Sequence, residues 1–261
     1  FGEKAILITD LSSQYIEYHA ALYDMVTQGR SLLYTWDTGM GMNFLGLITY
    51  YLSSPFTLLL FLFPRAMLTE AVLCIISAKI AACALTFSLY LRRAHGVRGA
   101  AGLLFSLLYA LSAYGVTYCF NLMWLDGMVL LPLVVLAARR VFESRRPGAF
   151  ILVLTVLFVS NFYIAYVVGL FTFLLFAAWM AAQPGGCRLA LLRLGAFFGG
   201  AALAAGIAAV LLLPTFFAIT NGYESVHGFS LTFWAAANPL ALPGKLAFGS
   251  FDSATNSGTP N

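Results

Sequence analysis

Charge is the scarcest thing in this chain. Only 9% of its 261 residues are Asp, Glu, Lys or Arg, against about 25% in a soluble domain. That shortage excludes a water-soluble globule. With 61% hydrophobic residues and a mean hydropathy of +0.89, it predicts a polytopic membrane protein in contact with a lipid bilayer. The alternating ten-residue segments of a membrane β-barrel are missing too, while apolar runs of about 20 residues recur, so the spans are expected to be helices.

Other absences narrow the chemistry. There is no Walker loop, no G-x-S-x-G and no dinucleotide fingerprint, which leaves a cytosolic nucleotide donor without support. The four cysteines, Cys74, Cys83, Cys119 and Cys187, form neither a disulfide framework nor a metal-ligand spacing. His19, His95 and His227 make no metal set either. No cofactor and no metal are therefore expected. The net charge of +4 lies in short clusters between apolar runs, so no nucleic-acid partner is expected. The chain begins Phe1-Gly2-Glu3-Lys4, without Met, and no signal peptide is visible in it, as expected of a fragment. It is expected to be a piece of a longer protein, with a helix upstream.

What is present falls into three regions: an extracytoplasmic loop with interfacial and re-entrant helices (1–67), a transmembrane bundle of about six spans (68–213), and a second extracytoplasmic loop (214–261). In the first, residues 10–28 carry Leu11, Tyr15, Tyr18, Leu22 and Met25/Val26 on one stripe, with Ser12, Glu17, His19 and Asp24 largely elsewhere. That pattern predicts an amphipathic helix lying in the interface. A glycine-punctuated aromatic loop from Tyr34 to Phe44 follows. An apolar segment, 46–63, is interrupted by Ser53-Ser54-Pro55 and predicts a short re-entrant or interfacial hairpin. Spans are expected at 68–91, 99–118, 128–142 and 191–213, the last ending before Pro214. Residues 149–182 should form two helices turning at Asn161.

Charge patterning orients this array. The clusters Arg92/Arg93/Arg98, Arg139/Arg140/Arg145/Arg146 and Arg188/Arg193 hold nine of the fourteen basic residues, while Glu143 alone of the ten acids falls beside them. Placing these clusters in the cytoplasm satisfies the positive-inside rule. The polar, acidic and aromatic residues then collect on the outer face, where a site is expected.

Asp10 opens the first helix. It reads as an N-cap, as a general base or oxyanion-side carboxylate facing a lipid-borne substrate, or as both at once. Asp37 is either a loop carboxylate closing an Asx-turn or an acceptor for sugar hydroxyls, with Trp36 and Tyr34 as stacking surfaces. Lys79 lies in mid-span, where a bare cation costs roughly 2.5–3.5 kcal/mol. It needs a polar cavity, an acid (Glu70, two and a half turns away, or one on another helix) or a bound phosphate. Trp124, Asp126, Asn161 and Tyr163 mark outer helix ends. The helices 128–142 and 149–160 are short for a bilayer of about 30 Å, which predicts a recess placing Asp126, Asn161 and Tyr163 below the surface.

The order of these motifs resembles the YfhO family of bacterial membrane proteins. The matching elements are Asp10-Leu11-Ser12-Ser13-Gln14-Tyr15, Gly39-Met40-Gly41-Met42-Asn43-Phe44 and Tyr50-Tyr51-Leu52-Ser53-Ser54-Pro55-Phe56. Further on come Lys79, Trp124-Leu125-Asp126 ahead of Leu131-Pro132, and Asn161-Phe162-Tyr163. The resemblance implies an all-α, GT-C-like helical bundle and a GT-C-type glycosyltransferase of the bacterial cytoplasmic membrane. Such an enzyme takes a sugar from a polyprenyl-phosphate carrier and attaches it outside the cell to a cell-wall polymer such as a teichoic acid. In GT-C enzymes a carboxylate just after the first helix is the catalytic base, and Asp10 occupies that place. The resemblance also implies Gln14, Tyr15 and Asn43 as substrate-binding residues, beside Asp37, Lys79, Trp124, Asp126, Asn161 and Tyr163. The alternative function is a lipid-linked saccharide transporter or flippase, with the same polar residues lining its path.

Overall fold

The computed structural model describes residues 7–37, 41–183 and 185–220. Among them the chain is an all-α bundle whose one strand pair, β1 (Tyr34–Thr35) with β2 (Met42–Asn43), is two residues long on each side. Four helices are long and apolar enough to cross a membrane, or five if a bent pair counts as one span. The chain is therefore a multi-pass membrane protein by its helices as well as its composition.

A π-helical turn, Leu11–Tyr15, runs into α1 (Ile16–Thr27). Its buried residues are Leu11, Tyr15, His19, Ala20, Leu22 and Met25, while Val26 is exposed. His19 thus lies on the packed face, against the expectation from a regular wheel. A π turn takes up more residues than an α turn and so rotates the face that follows it.

After β2, α2 (Phe44–Leu47) continues into a π turn, Ile48–Leu52, and a 3₁₀ segment, Pro55–Leu62, completes a hairpin bent by 99° at Ser53-Ser54. Asn43 caps its first arm by accepting from Gly46 N, and Ser54 caps the second by accepting from Phe56 N. The Ser54 hydroxyl bonds Asp126 and the Phe56 ring lies 5.7 Å from Lys79 Nζ, while Leu60 packs with Leu68. The tip therefore dips into the bundle beside Asp126, and the second arm returns toward Leu68.

Six helices follow: α3 (Leu68–Tyr90), α4 (Gly99–Ala110), α6 (Leu122–Ser144), α7 (Gly148–Ser160), α8 (Phe162–Ala182) and α9 (Cys187–Thr220), with a short α5 (Ala113–Thr117) between α4 and α6. Lys79 meets Leu122 O and Asp126, and Arg139 further on meets Ala94 O, so α3 and α6 run parallel. One end of the bundle carries the hairpin and α1; the other carries the arginine clusters Arg92/Arg93/Arg98 and Arg139/Arg140. The first half of α6 packs with α1, the hairpin and α3, and its second half with α7, α8 and α9. It is the axis of the molecule.

Three expected boundaries move. The 99–118 helix is broken at Leu111-Ser112, where Ser112 caps α5 through Gly115 N. The helix expected at 128–142 has 23 residues, about 34 Å of rise, so it is not short and does not open a recess on its side. The last helix continues through Pro214 to Thr220, as membrane helices tolerate when neighbours meet the freed carbonyl. The tail from 221 onward, with His227, lies outside the described residues.

Pro132 inside α6 shows how a freed carbonyl is met. It has no N–H to give to Met128 O four residues back. The Tyr109 hydroxyl of α4 donates to that oxygen instead, at 2.7 Å.

Candidate functional site

The hairpin end gathers most of the polar side chains the sequence singled out. Asp10 sits at the start of the first helix with helical backbone angles, exposed, and its side chain makes no capping bond. The cap expected from its residue type is absent because the helix already begins at Thr9. Among the described residues no cation pairs with it. Among the described residues its one side-chain hydrogen-bond partner is the Tyr15 hydroxyl, 3.4 Å from Oδ2.

Tyr15 is buried and its hydroxyl reaches Asn121 Oδ1 at 2.9 Å. A phenol has one proton, and the shorter contact takes it, so Asp10 keeps its lone pairs. Burial first, and the Asp10 carboxylate second, push the Tyr15 phenol up, and the same causes raise Tyr18. Tyr15 therefore stays protonated and donates. Tyr51 packs against Tyr15 (5.4 Å between centroids), Tyr18 (5.1 Å) and Tyr50 (4.6 Å). These rings floor the region beside Asp10.

Asn121 is the residue immediately before α6, and the next carbonyl, that of Leu122, accepts from Lys79 Nζ at 2.9 Å. Lys79 also meets Asp126 Oδ2 at 2.8 Å, and Asp126 Oδ1 accepts from Ser54 Oγ at 2.8 Å. Both side chains are almost wholly enclosed, 1% and 2% exposed. Of the three possibilities for Lys79, the acid on another helix is the one the fold supplies. It is not presented to a phosphate.

Asn161 is fully buried as well. It caps α8 by accepting from Ile164 N at 2.8 Å and donates to Tyr50 O at 2.9 Å, while Ser53 of the hairpin donates to the last carbonyls of α7. Asp126 and Asn161 were expected to face a recess. The hairpin covers them, and their bonding capacity goes into holding it down. Gly127 lets α8 approach α6 closely beside them, since a Cβ there would collide with Ile164.

The remaining candidates lie toward the rim. Gln14 and Tyr163 are exposed. Asp37 pairs with Arg30 at 2.6 Å on the surface, and its backbone N–H bonds Thr35 Oγ1. Asn43 is a helix cap. Trp124 packs on Tyr118 at 5.6 Å, and its Nε1 is the one buried side-chain nitrogen or oxygen without a partner among the described residues. An indole N–H facing no acceptor is an opening for a ligand oxygen.

The arrangement thus joins Asp10, Tyr15, Asn121, Lys79, Asp126 and Ser54 through the first turn of α6, and leaves Asp37, Asn43 and Tyr163 apart. Asn121 and Ser54 were visible in the sequence only as a polar residue before a helix and as part of a motif. Their partners are 106 and 72 residues away, beyond any local pattern.

The sequence matches the family described as Bacterial membrane protein YfhO over residues 1–261. The chain belongs to that family. No curated protein and no solved structure matches it.

Proposed function

Starting from membership of the YfhO family, we propose that this protein is a GT-C-type glycosyltransferase. It moves a sugar from a polyprenyl-phosphate carrier to a cell-wall polymer such as a teichoic acid, on the outer face of the bacterial cytoplasmic membrane. The observation that carries this reading is the state of Asp10: an exposed carboxylate that pairs with no cation among the described residues, beside a buried phenol whose proton goes elsewhere. A carboxylate so left can accept a proton.

Asp10 takes the proton of the acceptor hydroxyl as that oxygen attacks the anomeric carbon. The bond from that carbon to the phosphate oxygen breaks, its electron pair leaves on the polyprenyl phosphate, and the anomeric configuration inverts. Tyr15 holds the wall beside Asp10, and Gln14, on the same exposed segment, faces the incoming chain. Trp124 Nε1 supplies a donor to a sugar oxygen, and Asp37, Asn43 and Tyr163 form the outer rim. Lys79, Asp126 and Asn161 act indirectly, by fixing the hairpin. The charge of the departing phosphate is met by a group other than Lys79, such as Arg65, which is half exposed and shares Asp24 at 2.9 Å.

The test is transfer from a labelled polyprenyl-phosphate sugar in membranes carrying the full-length protein. Asp10→Asn keeps size and polarity but cannot take the proton, so transfer is expected to fall by about 10²–10⁴-fold, with an unchanged melting temperature. Intact transfer by the variant removes Asp10 as the base. A parent protein that moves the intact carrier across the bilayer without transferring its sugar establishes the flippase instead.

A further inference from the structure

The arginine end holds a feature that the sugar-transfer reading does not use. Between the second half of α3 and the start of α4 runs an open groove of about 500 Å³. Its walls include Leu85 and Leu103, both largely exposed on the lipid-facing surface. Its floor is made of small residues, Gly99, Gly102 and Ser106. The Ser106 hydroxyl is tied to Gly102 O at 2.6 Å, so the floor offers no free donor. Away from its mouth the groove is mainly apolar.

Its mouth is the opposite. Arg92 and Arg98 line it, and Arg93 joins them in the adjoining hollow. Four ion pairs occur among the described residues and none includes these three arginines. Glu143, the acid at this end of the described bundle, is already bonded by Arg139 at 2.8 Å. Ser88, one turn before Arg92 on the same wall, leaves its hydroxyl without a partner among the described residues. Three cations within seven positions, in no ion pair among the described residues and at the end of an apolar helix, ask for an anion with a hydrocarbon tail.

We propose that this groove is a binding site for an anionic phospholipid. The phosphate sits among Arg92, Arg93 and Arg98, with the Ser88 hydroxyl as a further donor, and one acyl chain lies on the glycine floor against Leu85 and Leu103. Basic pockets between helices at a membrane surface select acidic headgroups in this way. The site is independent of the glycosyltransferase reading and stands if that reading fails.

Native mass spectrometry of the full-length protein, titrated with phosphatidylglycerol or with phosphatidylcholine of the same chains, tests it. The parent is expected to bind phosphatidylglycerol at least about tenfold more tightly, a measurement that needs no variant. Arg92→Gln/Arg93→Gln/Arg98→Gln should abolish that preference and leave phosphatidylcholine binding unchanged. Gly102→Leu fills the floor without touching charge, at a position where a Cβ makes only ordinary contact with Val97 O, and should weaken both lipids alike. Equal affinity of the parent for the two lipids overturns the proposal. So does a cysteine at Leu103 that cross-links to another part of the chain, because the groove is then filled by protein.

Discussion

Removing one partner of the Lys79–Asp126 pair leaves the other as a charge without water, at a cost of roughly 3–5 kcal/mol. Removing both replaces the pair by apolar contacts and restores much of the loss. Lys79→Met and Asp126→Leu are therefore each expected to lower the melting temperature of the detergent-solubilised protein more than the double variant does. If the double variant is worse than both singles, the pair is not the sealed unit that its geometry indicates. His19 responds to pH at the same scale. Its Nδ1 lies 2.7 Å from Tyr15 O, and a carbonyl only accepts, so Nδ1 carries the proton. Burial lowers its pKa from 6.5 to about 4; nearby Lys79 adds to the shift and the Tyr15 bond opposes it. The unfolded chain binds a proton below about pH 6.5, the folded one only near 4. Between those values the unfolded state holds more protons, so this contribution to stability falls as the pH is lowered. A parent melting temperature that drops from pH 6.5 to 4, with a shallower drop in His19→Asn, is the expected result. Parallel curves for parent and variant would show that His19 is not responsible.

Helices interlock here through backbone groups that a single element leaves unmet. Tyr109 on α4 serves the Met128 carbonyl that Pro132 frees in α6. Tyr109→Phe should cost about 1–3 kcal/mol, the range for an unsatisfied buried acceptor. In a Pro132→Ala background the N–H returns and the same substitution should cost little. Unfolding midpoints of the four proteins in the cycle decide it, and additive effects would refute the link. This coupling also marks the limit of what the residues disclose in order. The apolar runs of α3 and α8, the turn at Asn161 and the break at Ser53-Ser54 were legible because each depends on local hydropathy or on a residue that ends a helix. Lys79 was legible as a cation needing a partner, but which acid it meets depends on parallel packing across 47 residues. The recess failed for a similar reason. Whether Asp126 and Asn161 face water depends on a hairpin folding over them, which neither helix encodes. The register of α1 was misread because nothing in Leu11–Tyr15 announces a π turn.

For the whole molecule, the proposed orientation puts the hairpin end outside the cell and the arginine end inside. Cys187 is exposed at the arginine end, whereas Cys83 is buried. With the other three cysteines replaced, Cys187 should react with a membrane-impermeant maleimide only after permeabilisation. Ser13→Cys in a cysteine-free protein should react in intact cells. The reverse pattern would invert the protein and move Asp10 away from a wall polymer. The parallel α3 and α6, clasped by Lys79, Asp126 and Ser54, also set a timetable for biosynthesis. When α3 leaves the ribosome its acid is still 47 residues from being made, roughly 2 to 9 s of synthesis at 5–20 residues per second. Through that interval the lysine has no partner, and the hairpin, already synthesised, has nothing to close on. The insertion machinery must shelter α3 until α6 arrives, so a nascent chain stalled before Asp126 is the form most exposed to membrane quality control.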